Sequence, residues 1–311
     1  MDWGQLWSIT SAPDNIPIVA MLFLVPFFTW YALRQAQAND RLIEQLEADP
    51  QMAKTHHRKV QSWRPGWAKE LHTWPYLLRI EFLAALIVTV ILMVWSITLN
   101  APLEEPANPN LTMNPSKAPW YFLGLQEMLV YFDPWIAGVL MPGLIIVGLM
   151  AIPYMDTNPL GSGYYTWKQR KFSIGAFCFG FIILWVIMII IGTFIRGPGW
   201  VWFNPGATWD HDRQVFDYNR DLHEFIGITS MTGKILFGGA VVALYYVLAG
   251  WFVHKLLTWN EFNRKIYERM SLIQYLTLQF FLTTTLALPA KMFLRLVFTI
   301  KYVWVTPWFN V

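Results

Sequence analysis

Cys178 is the lone cysteine among 311 residues, and that rules out an internal disulfide, a CxxC metal site and a CxxCH haem attachment, each of which needs two cysteines. It is expected as a small buried hydrophobe within an apolar run. Charge is scarce too: 14% of residues are charged against 55% hydrophobic. Histidine is sparse and badly placed for b-type haem, which takes two axial imidazoles from helices inside the bilayer. None of His56, His57, His72, His211, His223 and His254 falls in the middle of an apolar run. His254 comes nearest, beside Lys255 at the end of one run, and is expected at an interface. The chain is therefore expected to bind no haem by itself.

Other chemistries are missing as well. His56 and His57 are adjacent, with no carboxylate or cysteine cluster at ligand spacing around them, so no metal site is expected. No G-x-S-x-G nucleophile turn occurs. Charges buried at mid-membrane, the usual mark of a proton or ion path, are absent from the third and fourth runs, which removes most support for a transporter.

What is abundant is apolar sequence. Six stretches, roughly 17 to 34, 79 to 99, 134 to 154, 173 to 195, 234 to 254 and 271 to 290, reach the length of about 20 residues that crosses a bilayer. They predict an all-α integral membrane protein, a bundle of about six transmembrane helices in one domain over 1–311. The connections are too short for a separate soluble domain. The first run lacks a basic leader and a small-residue cleavage site, so it is read as a retained helix. The sixth is the weakest. Gln279, Thr283 to Thr285 and Pro289 interrupt it, which predicts a kink or an interfacial helix over about 291 to 305.

Charge placement predicts orientation. With the N-terminus outside, the inner face receives Arg34, Arg41, Lys54, Arg58, Lys59, Arg64, Lys69 and Arg79, then Lys168, Arg170 and Lys171, then Lys255, Arg264, Lys265 and Arg269. That is the larger share of the 23 basic residues, so the positive-inside rule puts both termini on the outer side. The longest inner segment, Gln35 to Trp74, interleaves its bases with Asp40, Glu44, Glu47, Asp49 and Glu70. It is expected as a solvated helix pair or a docking surface for a partner. Nucleic acid is excluded as that partner because these acids would repel phosphates.

The most informative stretch is Asn114 to Glu127, NPSKAPWYFLGLQE, a polar, proline-punctuated aromatic loop between the second and third spans. Asp133-Pro134 reads as a helix start, an N-cap carboxylate followed by a residue that needs no donor partner. Pro119 likewise predicts a short helix through Trp120, Tyr121 and Phe122 to about Val130. At 100° per residue Trp120, Leu123, Gly124 and Glu127 share one face, which predicts a flat slot with a single acid, suited to a quinone ring. On composition alone an interfacial aromatic anchor is the competing account.

The wording of the loop carries more. Glu105-Pro106-Ala107-Asn108-Pro109, followed ten residues later by Pro119-Trp120-Tyr121-Phe122, resembles the outer quinol-site loop of the cytochrome b family, where a Pro-Glu-Trp-Tyr motif lies between two transmembrane helices. The closer likeness is to subunit IV of cytochrome bf complexes, in which cytochrome b is split and a different polypeptide bears the haems. Trp74-Pro75 ahead of the second span, and Pro153 with Asn158-Pro159 after the third, fall in the same order. The likeness covers roughly residues 70 to 196. It divides the chain into an extra N-terminal helix and inner-face segment (1–69), a subunit IV-like core (70–196, loop 100–133), and an outer connection with two further helices (197–311).

This resemblance implies a membrane subunit of a quinol:cytochrome c, or similar, oxidoreductase in an energy-transducing inner membrane, a translocase that is not catalytic alone. Its implied partners are a haem-bearing cytochrome b N-terminal-type subunit, a Rieske iron-sulfur protein and a cytochrome c-type acceptor, in a dimeric complex. The b-type haems and the [2Fe-2S] cluster are expected on those partners, and a quinone or quinol at the outer site. The substrate's ring would lie against Trp120, Tyr121 and Phe122, with Leu123 and Gly124 beside it and Pro119 shaping the wall. One electron would pass to the Rieske cluster and one to haem b, with two protons released outside. Residues Trp74 to Glu81 would flank a second, inner quinone site. The chain departs from the pattern at one point: Ala118 and Pro119 stand where the motif has proline and an acid. Glu127 is the available substitute as proton acceptor, about 10 Å beyond Trp120 along a helix, and burial beside aromatics is expected to tune it upward. Tyr121 is expected to hydrogen-bond the substrate or gate the site, and Asp133 is a rival acid already explained by capping. The alternative is a non-catalytic membrane anchor or assembly subunit of another respiratory complex.

Overall fold

All six apolar stretches are helical. The computed structural model describes residues 3–56, 73–101, 103, 106–160, 164–210, 212 and 218–311. Glu105, His57, His72, His211, Arg58, Lys59, Arg64, Lys69 and Glu70, invoked above, lie outside the described residues. The long helices are span one, Ile16–Ala48; span two, Thr73–Thr98; span three, Ile136–Met155; span four, Trp167–Ile195; span five, Met231–Trp259; and span six, Leu272–Phe298. Among the described residues only isolated β-bridges interrupt the helical architecture.

Two compact units emerge. One comprises Gly4–Leu111 with Gly161–Gln169, and holds spans one and two. Span one outruns its apolar stretch by fourteen residues because Gln35 to Ala48 are nearly all good helix formers. Its polar end is used: both carboxylate oxygens of Asp40 accept from the Lys168 backbone N–H at 3.1 Å, Glu44 pairs with the Lys168 side chain, and Asn39 donates to the Tyr165 carbonyl at 2.9 Å. Asp49 then caps a short helix, Pro50–Thr55, by accepting from the N–H groups of Gln51 and Met52. Span two leaves nearly every described side chain exposed, Trp74 and Glu81 among them.

The other unit comprises Met1–Trp3, Thr112–Leu160 and Arg170–Val311. Its main core joins Met128, Tyr131 and Phe132 of the loop region to Ile136 and Ala137 of span three, Leu184 and Met188 of span four, and Leu288 of span six. A second cluster, Val253, Leu257 and Leu278, ties span five to span six. Beside it His254 accepts or donates a hydrogen bond to the Tyr275 hydroxyl at 2.9 Å. Cys178 is half-buried.

Local signals set the helix ends. Asp133 accepts from the Trp135 N–H at 2.9 Å, so the third span starts where the Asp-Pro pair predicts. Ser271 and Gln274 form a reciprocal capping box at the start of span six. That span runs as one helix through Pro289 to Phe298 and ends at Thr299 in the left-handed region, φ 56°; the segment that follows is not helical. Several of its polar residues find partners within the unit, although Gln279 Oε1 is buried without one among the described residues. Thr283 and Thr285 donate to the carbonyls of Gln279 and Phe281, Tyr246 and Thr284 bond at 3.1 Å, and Lys291 is buried with its Nζ on the Lys301 carbonyl at 2.7 Å. In lipid such groups need protein partners, and here they have them.

Candidate functional site

The loop is folded by its own side chains before it meets anything else. Pro119 holds φ at −53° and ψ at 148°, extended, and a 3₁₀ turn, Trp120–Phe122, follows and leads into the helix Leu123–Met128. Gln126 clamps the turn from both sides. Its Oε1 accepts from the Ala118 N–H at 2.8 Å and its Nε2 donates to the Ser116 carbonyl at 2.7 Å. The predicted helix to about Val130 is thus present, with a tighter first turn.

That short helix then docks against the end of span four. Leu123, Gly124, Glu127 and Met128 are buried. A β-carbon placed on Gly124 would lie 3.2 Å from Ile189 and 3.3 Å from the Trp185 ring, and one on Gly192 would lie 3.3 Å from Leu123. The face expected to leave a flat slot is therefore filled by span four. Trp120 lies half-buried at its margin, while Pro119, Tyr121 and Phe122 point away from the core, the last two 53% and 51% exposed. Their rings form a connected row, Trp120 to Tyr121 at 5.6 Å edge-on and Tyr121 to Phe122 at 4.8 Å.

Glu127 is fully buried and its carboxylate is doubly engaged. Arg196 Nη2 donates to Oε1 at 2.6 Å and Arg196 Nε to Oε2 at 3.0 Å, while the Tyr131 hydroxyl donates to Oε1 at 2.8 Å. This is the two-pronged pairing that a planar guanidinium makes with a carboxylate. Burial, and then the adjacent Glu127 charge, push the Tyr131 phenol well above its ordinary value. Arg196 is placed by a π-helical last turn of span four, its N–H reaching back five residues to Ile191 at 3.1 Å. Its remaining prong donates to the Trp200 carbonyl at 3.2 Å, and its guanidinium lies 5.9 Å from the Trp202 ring centre.

Two further ties fasten loop to span. Lys117 donates to the Thr193 carbonyl at 2.9 Å, one of the carbonyls that a helix C-terminus leaves without an intrahelical partner. Asn114 accepts from the Gly199 N–H with its side chain. Burial, opposed only in part by Glu127, brings the Lys117 ammonium down to about 8.

The sequence-predicted residues thus separate into two groups. Pro119, Tyr121 and Phe122, with Trp120 at the margin, face outward; Leu123, Gly124 and Glu127 form the seat. Arg196, Tyr131, Lys117, Thr193 and Trp185 escaped sequence reasoning. Arg196 did leave a signal, as the first charge after the long apolar run of span four, but nothing in the sequence paired it with an acid 69 positions earlier.

Comparison with known proteins bears on this same stretch. Residues 106–204 match the family described as Cytochrome b(C-terminal)/b6/petD. They span the loop, span three, span four and Arg196. The match fits a cytochrome b C-terminal, subunit IV-type protein. Over 115 residues the chain is 30% identical to a Geobacillus thermodenitrificans protein named menaquinol:cytochrome c reductase cytochrome c subunit, an overlap of 35% of this chain. The aligned part amounts to 45% of that relative's length. No solved structure matches this chain.

Proposed function

We propose that this chain is the subunit IV-like half of a split cytochrome b in a quinol:cytochrome c type oxidoreductase, and that Pro119 to Phe122 form its wall of the outer quinol-oxidation site. The observation that carries the reading is the outward row of Trp120, Tyr121 and Phe122 on a helix locked to span four, inside the stretch that matches the cytochrome b C-terminal family. Exposed aromatic faces on a rigid seat suit a planar ring substrate, which stacks without having to order its receptor first.

In this reading Tyr121 is the residue that meets the substrate's hydroxyl, because its side chain is half exposed and its ring is fixed by neighbours on both sides. Leu123 and Gly124 set the depth of the wall. Glu127 serves as the brace beneath it, since a proton acceptor must reach the substrate directly or through one water and both Glu127 oxygens are already engaged. The b-type haems and the Rieske cluster sit on partner subunits, which take the two electrons, and the two protons leave on the outer face, the side of both termini by the positive-inside rule. The relative's name makes menaquinol the first substrate to try.

The test is turnover of the assembled complex with Tyr121→Ala and Phe122→Ala. Both side chains are half exposed, so the fold should tolerate the changes. Quinol oxidation should fall about tenfold or more, the cost of roughly 1.4 kcal/mol of lost substrate contact, and binding of a quinone-site inhibitor should weaken in parallel. Unchanged turnover and inhibitor binding in both variants would sink the proposal and leave the aromatic row as an interfacial anchor.

A further inference from the structure

Beyond the stretch that matches the family, Asp221, His223 and Glu224 come together on one short turn. The backbone there is a 3₁₀ turn, Leu222–Ile226, ended by Gly227 in the left-handed region, φ 74°. With three residues per turn, positions 221 and 224 stack on one side. The segment is laced to the chain after span six: the Arg220 N–H donates to the Thr299 carbonyl at 3.1 Å, Lys301 N–H to the Arg220 carbonyl at 2.8 Å, and Leu222 N–H to the Tyr302 carbonyl at 2.8 Å. The Tyr302 N–H also donates to Asp221 Oδ1 at 3.2 Å, which fixes that carboxylate.

One donor atom from each of the three side chains lies within 4.8 Å of the other two. The second observation is His223 itself. Its side chain is 4% exposed, and no hydrogen bond to its ring is made among the described residues. An imidazole with no protein hydrogen bond keeps a nitrogen lone pair to offer. Here it is aimed at two carboxylates, one partly buried and one exposed, which leaves an approach from solvent.

We propose that Asp221, His223 and Glu224 form a divalent-cation site, and that zinc is the ion they take. One imidazole nitrogen and two carboxylate oxygens are the donor types that zinc accepts, and three protein ligands leave its fourth position open. The two carboxylates offset the ion's charge and the cation becomes the missing partner of His223. The spacing Asp-x-His-Glu was not legible as a ligand set because only a 3₁₀ turn stacks its ends. This site does not depend on the quinol reading.

The purified full chain in detergent, stripped with a chelator and titrated with zinc against a chromophoric competitor, is expected to bind one zinc per chain at this site. Replacing the exposed ligand, Glu224→Gln, should weaken that binding without touching the core, by about tenfold or more given that loss of even an outer-shell partner costs about 10- to 100-fold. His223→Ala should weaken it further with unchanged helical content by circular dichroism, while His56→Ala should leave it intact. Absence of stoichiometric zinc in the wild type, or equal affinity in Glu224→Gln and wild type, would overturn the site.

Discussion

Arg196 holds Glu127 from a position 69 residues further along the chain, with Nη2 at 2.6 Å from one carboxylate oxygen and Nε at 3.0 Å from the other. Neither side chain has appreciable contact with solvent, 6% and 0%. The pair fastens the helix under the aromatic row to the last turn of span four. Whatever the row does, its position is set by this ion pair.

Breaking the pair on one side should be costly. Glu127→Gln leaves a buried guanidinium without its counter-charge and is expected to destabilise the protein by about 3–5 kcal/mol. Replacing both partners with apolar residues of similar volume, Glu127→Leu with Arg196→Met, should recover much of that loss. Thermal melts of the detergent-solubilised chain compare the three. The same single variant separates brace from base: as a brace, whatever turnover survives keeps its pH profile, whereas a proton acceptor would lose rate with the fold intact and a shifted profile.

Gly124 has no room for a methyl group. Gly124→Ala puts a β-carbon 3.2 Å from Ile189 and 3.3 Å from Trp185, so the loop helix must lift from span four. Overpacking of this kind costs about 1–3 kcal/mol. The expected result is a lower melting temperature together with weaker quinone-site inhibitor binding in the assembled complex. A variant with wild-type inhibitor affinity would show that the seat does not set the wall.

Gly238 makes a purely structural counterpart. A β-carbon there would fall 2.7 Å from the Trp304 Cα, backbone that cannot swing aside, and 2.6 Å from its ring. Gly238→Ala should displace the C-terminal segment from span five, read out as faster proteolysis of that segment and a lower melting temperature, by a cost of about 1–3 kcal/mol or more.

Lys117 predicts a pH dependence whose sign can be worked out. Its folded pKa of about 8 lies below the ordinary 10.5, so the unfolded chain binds the proton more tightly between those values. Stability contributed at this position therefore rises with pH through that window. The melting temperature of wild type minus that of Lys117→Met should climb as pH goes from 8 toward 10, over a constant offset from the lost bond to Thr193. A difference that stays flat with pH would count against a titrating buried amine.

Much of the fold was legible in residue order. The six spans follow from hydropathy, because lipid accepts only apolar stretches long enough to cross it with every backbone group satisfied. Asp133-Pro134 and the Ser271, Gln274 pair announced two helix starts, since caps are local chemistry. Hydropathy stopped short of Ala48 in span one because charge ends an apolar run without ending a helix. Pro289 and the threonines suggested a broken sixth span. Tyr245 and Tyr246, from span five, and the helix's own carbonyls supply the partners that keep it whole.

The candidate site divides the same way. By itself the sequence determined that an aromatic loop lies between spans two and three, where its short helix starts, and that Glu127 falls on the same face as Gly124, all consequences of local geometry. Tertiary structure alone decided what that face meets. Trp185, Ile189 and Arg196 fill it and leave Tyr121 and Phe122 outside, and the bond that fixes this arrangement joins charges 69 residues apart. A pairing of that kind depends on how span four ends, in a π-helical turn that carries Arg196 to Glu127, and no local pattern in the chain encodes where that turn will lie in space.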